Sequence, residues 1–269
     1  MYKVIACDLD ETLLNDQHEV SQRDIETIEK LSTMGVKFVL ATGRVYNTTY
    51  DLHKKLDLYE KPNEYTISFN GGMITENRKN KALYMRGIDF DKASALFREG
   101  VRRNLTVHVY TEDVVYIWNY CDAERKYTEG RMPIEEIFCD DIDFLKGQQI
   151  IKTLYMDTDM NKLYQIADEI KKLTEGLAVS YSSNRYLEFN NRNANKGLGL
   201  RKLAEILNVD PADTIAVGDH VNDITMLNQA GLAIGVRNSN PGIMEHCDVI
   251  LEATNNEDPI TEIFNRYYK

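Results

Sequence analysis

The 269-residue sequence has no surplus of basic charge: 32 Lys and Arg face 43 Asp and Glu, for a formal charge of −11. Nucleic acids and anionic membrane surfaces call for clustered cations, so neither is an expected partner. No window approaches the ~18–20 uninterrupted apolar residues of a membrane span. No secretion signal is evident either, because Asp8, Asp10 and Glu11 fall where its apolar segment would lie. The four cysteines (Cys7, Cys121, Cys139, Cys247) form no C-x-x-C pair, which speaks against a disulfide framework or a zinc site. Low-complexity linkers and internal repeats are also missing. With 43% apolar residues, the expectation is a cytoplasmic protein with reduced thiols, a substantial core and one or two domains.

What is present is an alternation of strand and helix patterns. Tyr2–Cys7, Val36–Ala41 and Tyr65–Phe69 read as short buried strands. Ser21, with Asp24 three residues on, starts a helix carrying Ile25, Ile28, Leu31 and Met34, and Gly35 stops it. A second helix is expected over about 45–58. This β-α-β-α-β opening implies a parallel sheet with right-handed crossovers. The closing third repeats the pattern: a helix with Leu198, Leu203, Ile206 and Leu207, a strand over Asp213–Val217, a helix over Val221–Gln229, then strands at Leu232–Gly235 and Val249–Leu251. Between them the texture changes. A helix over Asp89–Arg103, paired strands at Thr106–Tyr110 and Val114–Asn119, a helix with Leu163, Ile166, Ile170 and Leu173, and strands near 177–182 and 185–190 read as α+β. The expected fold is therefore α/β: a doubly wound, Rossmann-like parallel-sheet core of residues 1–82 and 191–269, with an α+β domain of 83–190 inserted.

Polar residues cluster where the core strands end, the edge at which doubly wound sheets bind ligands. The first strand runs into Asp8-Leu-Asp10-Glu-Thr12. If the strand breaks there, one carboxylate can serve as nucleophile and the other as acid/base. The second ends in Thr42-Gly43-Arg44, where a hydroxyl and helix-start N–H groups suit a phosphate oxygen. Lys196 opens a helix at the positive end of its dipole, which suggests a nearby anion. Asp219 and Asp223, four apart at a helix start, lie on one face and suit a hard cation. Each motif alone has an ordinary explanation: turn-forming Asp, a Thr cap, an exposed first-turn Lys, Asp capping a helix.

In this order, D-x-D-x-T, T-G-R, a lysine before a helix and G-D-x-x-N-D resemble the motifs of the haloacid dehalogenase superfamily of phosphohydrolases. The inserted middle domain, Asn70-Gly71-Gly72 and Asn255-Asn256-Glu257-Asp258 are similar to its Cof-like branch. The resemblance implies a Mg2+-dependent phosphatase acting on a small soluble phosphate ester, such as a sugar phosphate, with the inserted domain as a cap. Asp8 would be the nucleophile and Asp10 the acid/base. Thr42, Gly43, Lys196 and Asn222 would hold the phosphoryl group, and Asp8, the Asp10 carbonyl, Asp219 and Asp223 the metal. Arg44, Asn70, Gly71 and Glu188 are candidate substrate contacts. The protein is expected to be a monomer or weak homodimer.

Two positions depart from the family pattern. Glu11 stands where relatives carry Gly and is expected to face solvent. Arg237-Asn238-Ser239-Asn240-Pro241 replaces a Gly-Asn-Ala segment, and which asparagine corresponds is open. A phosphotransferase or mutase, passing the phosphoryl group to another sugar, shares these motifs. A non-catalytic phosphate-binding regulator would have no need of both a nucleophile and an acid/base.

Overall fold

Val4-Ile-Ala-Cys7, buried at every residue, forms strand β1 (Val4–Cys7), and the first part of the chain builds outward from it. Helix α1 (Gln22–Thr33) follows, with the Ser21 side chain accepting from Asp24 N–H and Gly35 beyond it at φ 80°. β2 (Lys37–Ala41) leads to a 3₁₀ turn, Tyr46–Thr49, and then to helix α2 (Tyr50–Lys55). The single helix expected over 45–58 is thus broken. Thr48 and Thr49 hydroxyls donate to the carbonyls three residues back, at 2.7 and 2.6 Å, and compete with α-helical bonding there. β3 (Tyr65–Ser68), β4 (Met73–Glu76) and β5 (Lys81–Met85) complete this part.

The middle of the chain contributes α3 (Phe90–Arg102), β6 (Thr106–Tyr110), β7 (Val115–Trp118), α4 (Asp122–Thr128), β8 (Ile134–Ile137), β9 (Lys152–Met156), α5 (Met160–Glu169), β10 (Leu177–Ser182) and β11 (Tyr186–Asn191). The last part adds α6 (Lys196–Leu207), β12 (Thr214–Gly218), α7 (Ile224–Leu227), β13 (Leu232–Gly235), β14 (Val249–Ile250) and α8 (Pro259–Tyr267). This computed structural model describes residues 1–130 and 132–269. They divide into two compact units: Met1–Tyr84 with Asn195–Lys269, and Met85–Ala194. Among the described residues no helix is long and apolar enough to cross a membrane.

In the first unit eight strands run in the order β14-β13-β12-β1-β2-β3-β4-β5. From β14 to β3 all neighbours are parallel, and β4 joins β3 antiparallel. Side-chain alternation sorts the strands onto two cores. Ile5, Cys7, Phe38, Leu40, Ile215 and Val217 pack against α1 and α8 through Ile28, Leu31, Ile260 and Ile263. Val4, Ala6, Val39, Ala41 and Ala216 pack against α6 and α7 through Leu200, Leu203, Met226 and Leu227. Burial on both faces explains why these strands read as continuous apolar runs. The chain winds from β1 to β3 on one side and from β12 to β14 on the other, so the order reverses between β1 and β12. In doubly wound sheets such a reversal is where ligands bind, beyond the carboxyl ends of the two strands.

The second unit is a six-stranded sheet, β10-β11-β9-β6-β7-β8, antiparallel except for β7 with β8. Leu96, Phe97, Leu163 and Ile166 of α3 and α5 cover one face, against Val107, Val109, Tyr155, Leu187 and Phe189. Ile170 and Leu173, expected on the helix, lie past its end yet still pack in or against this core.

Candidate active site

β1 stops at Cys7, and the backbone carries Asp8 to the carboxyl edge of the sheet, where its N–H still donates to Val217 O at 2.9 Å. Beyond it the chain turns tightly: Leu13 and Leu14 N–H groups donate to Leu9 O at 3.0 and 2.8 Å. Leu9, Leu13 and Leu14 are all buried in the core under α1 and α8, so the loop is pinned from below. The two aspartates diverge. Asp8 is buried beside Lys196, whereas the Asp10 side chain is half exposed and pairs with Arg44.

Lys196 opens α6, capped by the Asn195 side chain, which accepts from Leu198 N–H at 2.8 Å. The anion inferred from its position is a pair of carboxylates. The buried ammonium donates to Asp8 Oδ1 at 2.5 Å and to Asp223 Oδ1 at 2.7 Å. Two glycines let α6 come this close. A Cβ on Gly71 (φ 87°) would lie 2.0 Å from Asn195 O, and one on Gly197 would lie 2.1 Å from Thr225 O. Both obstacles are backbone, so neither position accepts a side chain without moving the helix that carries Lys196.

Asp219 and Asp223 do not share one helical face as expected. A 3₁₀ turn, Val221–Asp223, intervenes before α7, and Asp223 folds back so that its Oδ2 accepts from Asp219 and His220 N–H groups, each at 3.1 Å. Capping the turn in this way leaves Oδ1 for Lys196. Asp219 in turn accepts from the buried Thr12 hydroxyl at 2.6 Å, a contact that no local pattern indicates. One oxygen each from Asp8, Asp219 and Asp223 all lie within 4.8 Å of one another.

At the end of β2, buried Thr42 donates its N–H to Ile67 O at 2.8 Å, and its hydroxyl accepts from Arg44 N–H at 3.0 Å. Asn70, at φ 52°, donates its N–H to Thr42 O. Its side-chain amide abuts Gly43, where a Cβ would lie 3.1 Å from Nδ2, and accepts from Asn222 Nδ2 at 3.5 Å. Gly43, Asn70 and Asn222 thus gather at the sheet edge. Glu188 belongs to the second unit, where its carboxylate accepts from Lys152 Nζ at 2.8 Å and from the Ser182 hydroxyl.

Of the asparagines in the 237–241 segment, Asn238 is the one that reaches the loop after β1. Its Nδ2 donates to Glu11 O at 2.8 Å and its Oδ1 accepts from Asn255 N–H at 2.9 Å; Asn240 instead caps its own turn. Asn255 Nδ2 donates to Leu14 O and Asp16 Oδ1, at 3.1 and 3.2 Å. Two asparagines from separate loops therefore hold residues 11–16. Glu11 itself is exposed, with a left-handed backbone at φ 59°. That conformation costs an L-residue about 1–2 kcal/mol, part of which Gly would return as chain entropy. Glu11→Gly should therefore raise Tm by about 2 °C in a thermal melt, and a fall would mean that the Glu side chain makes a stabilising contact.

Burial pushes the Asp8 carboxyl above its ordinary range; Lys196 opposes this and Asp223 adds to it. Burial would lower Lys196, but Asp8 and Asp223 outweigh it and hold the ammonium above its ordinary value. Burial also raises Asp219, against the Thr12 hydroxyl and with help from Asp223 and Glu11. Three buried carboxylates thus cluster where one ammonium binds two of them, an excess of negative charge that a hard, oxygen-seeking divalent cation would neutralise. These donors are all oxygen, which fits Mg2+ better than a soft metal.

The haloacid dehalogenase-like hydrolase family model matches residues 5–264. The 5-amino-6-(5-phospho-D-ribitylamino)uracil phosphatase YwtE of Bacillus subtilis is 29% identical over 265 residues, covering 88% of each chain. The crystal structure of TM0651 from Thermotoga maritima is 26% identical, with a TM-score of 0.88 over 100% of this chain and 98% of that one. A haloacid dehalogenase-like hydrolase from Bacteroides thetaiotaomicron is 27% identical, with a TM-score of 0.85 over the whole of both chains. With the family matched across almost its full length, and with the strand-end carboxylates and lysine in place, the chain belongs to the haloacid dehalogenase-like hydrolases.

Proposed function

We propose that this protein is a Mg2+-dependent phosphatase that hydrolyses a small phosphorylated metabolite, a sugar phosphate or similar ester, through an aspartyl-phosphate on Asp8. The observation that carries the reading is the seating of Asp8. It is a buried carboxylate at the carboxyl edge of the sheet, held by Lys196, with Asp219 and Asp223 beside it.

In the first step an Asp8 oxygen bonds to phosphorus while the ester P–O bond breaks. The departing oxygen keeps the electron pair and takes a proton from Asp10. In the second, water gives a proton to Asp10 and its oxygen bonds to phosphorus. The bond to Asp8 breaks, and inorganic phosphate leaves. The Thr42 hydroxyl, the backbone at Gly43, Lys196 and Asn222 hold the phosphoryl oxygens. Asp8, the Asp10 carbonyl, Asp219 and Asp223 would hold Mg2+.

A carboxylate approaching a phosphate dianion is repelled, by roughly 1 kcal/mol per charge pair at about 4 Å in water and by several times more in a drier site. When bound, Mg2+ supplies the positive charge that, with Lys196, offsets this repulsion. An acidic protein thereby acquires one point at which an acidic substrate is attracted. That YwtE is named for a phosphorylated ribityl compound supports a small ester. Asn70 and Gly71 are the proposed contacts to the rest of the substrate.

Hydrolysis of p-nitrophenyl phosphate should disappear when the protein is stripped with EDTA and return on adding Mg2+. Undiminished turnover after stripping would overturn the metal assignment. A screen of sugar phosphates, nucleotides and phosphorylated cofactors, ranked by kcat/KM, then identifies the ester.

A further inference from the structure

Arg44 was a candidate substrate contact, yet in the structure it grips Asp10. Nε donates to Asp10 Oδ2 at 3.1 Å and Nη2 donates to Oδ1, so the guanidinium fork engages both carboxylate oxygens. The arginine is well anchored for this. Its N–H donates to the Thr42 hydroxyl and its carbonyl accepts from Phe69 N–H at 3.1 Å, tying it to the ends of β2 and β3. The Asp10 side chain is 50% exposed and that of Arg44 35%. An ion pair this exposed adds little to stability. It does remove rotational freedom from a carboxylate that would otherwise sample several rotamers.

We propose that Arg44 is the positioning residue for Asp10, an assignment that rests on the phosphatase reading. A carboxyl group that must hand a proton to an ester oxygen needs one of its oxygens free and aimed. Arg44 releases one Asp10 oxygen for the proton and keeps the other in its fork, so the carboxyl is oriented throughout the transfer. A planar fork suits this task better than an ammonium, which can make only a point contact.

The test is the leaving group. Phenolates such as p-nitrophenolate depart without protonation, whereas sugar alkoxides do not. Because kcat/KM reports events up to the first irreversible step, it reads formation of the aspartyl-phosphate on each ester. Arg44→Met should lower the ratio of kcat/KM for the best alkyl phosphate to kcat/KM for p-nitrophenyl phosphate by on the order of 10- to 100-fold, the share expected of a well-placed general acid. Arg44→Lys, which keeps the charge and one contact, should recover part of that ratio. Equal losses on both esters, or a KM increase common to both, would make Arg44 a phosphoryl contact and overturn the proposal. An unchanged ratio in well-folded Arg44→Met would overturn it too. Wild-type protein inactive on every ester would instead bring down the phosphatase reading, and this proposal with it.

Discussion

Asp8→Asn should leave a folded protein whose turnover is lower by roughly 10⁴- to 10⁶-fold, the loss seen when a nucleophile is removed from an otherwise intact site. The side chains are nearly isosteric, and an amide oxygen can still accept from Lys196, which keeps its second carboxylate, Asp223, at 2.7 Å. What disappears is the negative charge that makes an oxygen attack phosphorus. The buried charge excess around Lys196 also falls by one, so Tm should hold or rise. Activity on p-nitrophenyl phosphate, a thermal melt and acid-quench trapping of the phosphoenzyme check the three parts. Turnover within about tenfold of wild type would place the nucleophile elsewhere, and a collapsed Tm would mean that the Asp8 charge holds the site together.

The parts of this fold that could be read from the sequence are those whose signals are local. Ser21 and Gly35 punctuate α1 at both ends, and the apolar runs of β1, β2, β12 and β13 are long enough to mark buried strands. The four strand-end motifs were legible for the same reason, since each is a short string at a fixed place in the winding. Residues that act across the chain were not. Thr12 and Asp219 are 207 residues apart, and Asn255 meets Leu14 over 241, so no window contains either pair. The geometry of Asp219 and Asp223 was misread because a spacing of four suggests a helical face. A carboxylate that can cap its own turn competes with that geometry, and here the capped turn forms. Strands β4 and β5, β8 and β9, and helices α4 and α8 were missed. Strand β8, with Glu135 exposed, depends on pairing with β7 and not on a period of its own.

Lys196 carries the second large effect, and its neutral replacement separates two contributions that Asp8→Asn leaves joined. In Lys196→Met the stem of the side chain is retained, but Asp8, Asp219 and Asp223 remain buried with no ammonium among them. Removing one partner of a buried ion pair costs about 3–5 kcal/mol, because the charges left behind stay desolvated; that corresponds to a fall of roughly 10 °C in Tm. The cation proposed for the same carboxylates can stand in for the missing charge. Millimolar Mg2+ should therefore raise the Tm of Lys196→Met more than that of wild type, since only in the variant is the ion the sole counter-charge. Activity should not follow. Lys196 is also assigned to the phosphoryl oxygens, so the variant should stay inactive on p-nitrophenyl phosphate at Mg2+ levels that restore its stability. If Mg2+ restored both, Lys196 would be a structural counter-charge and nothing more. If Mg2+ restored neither, these three carboxylates would not be the metal site.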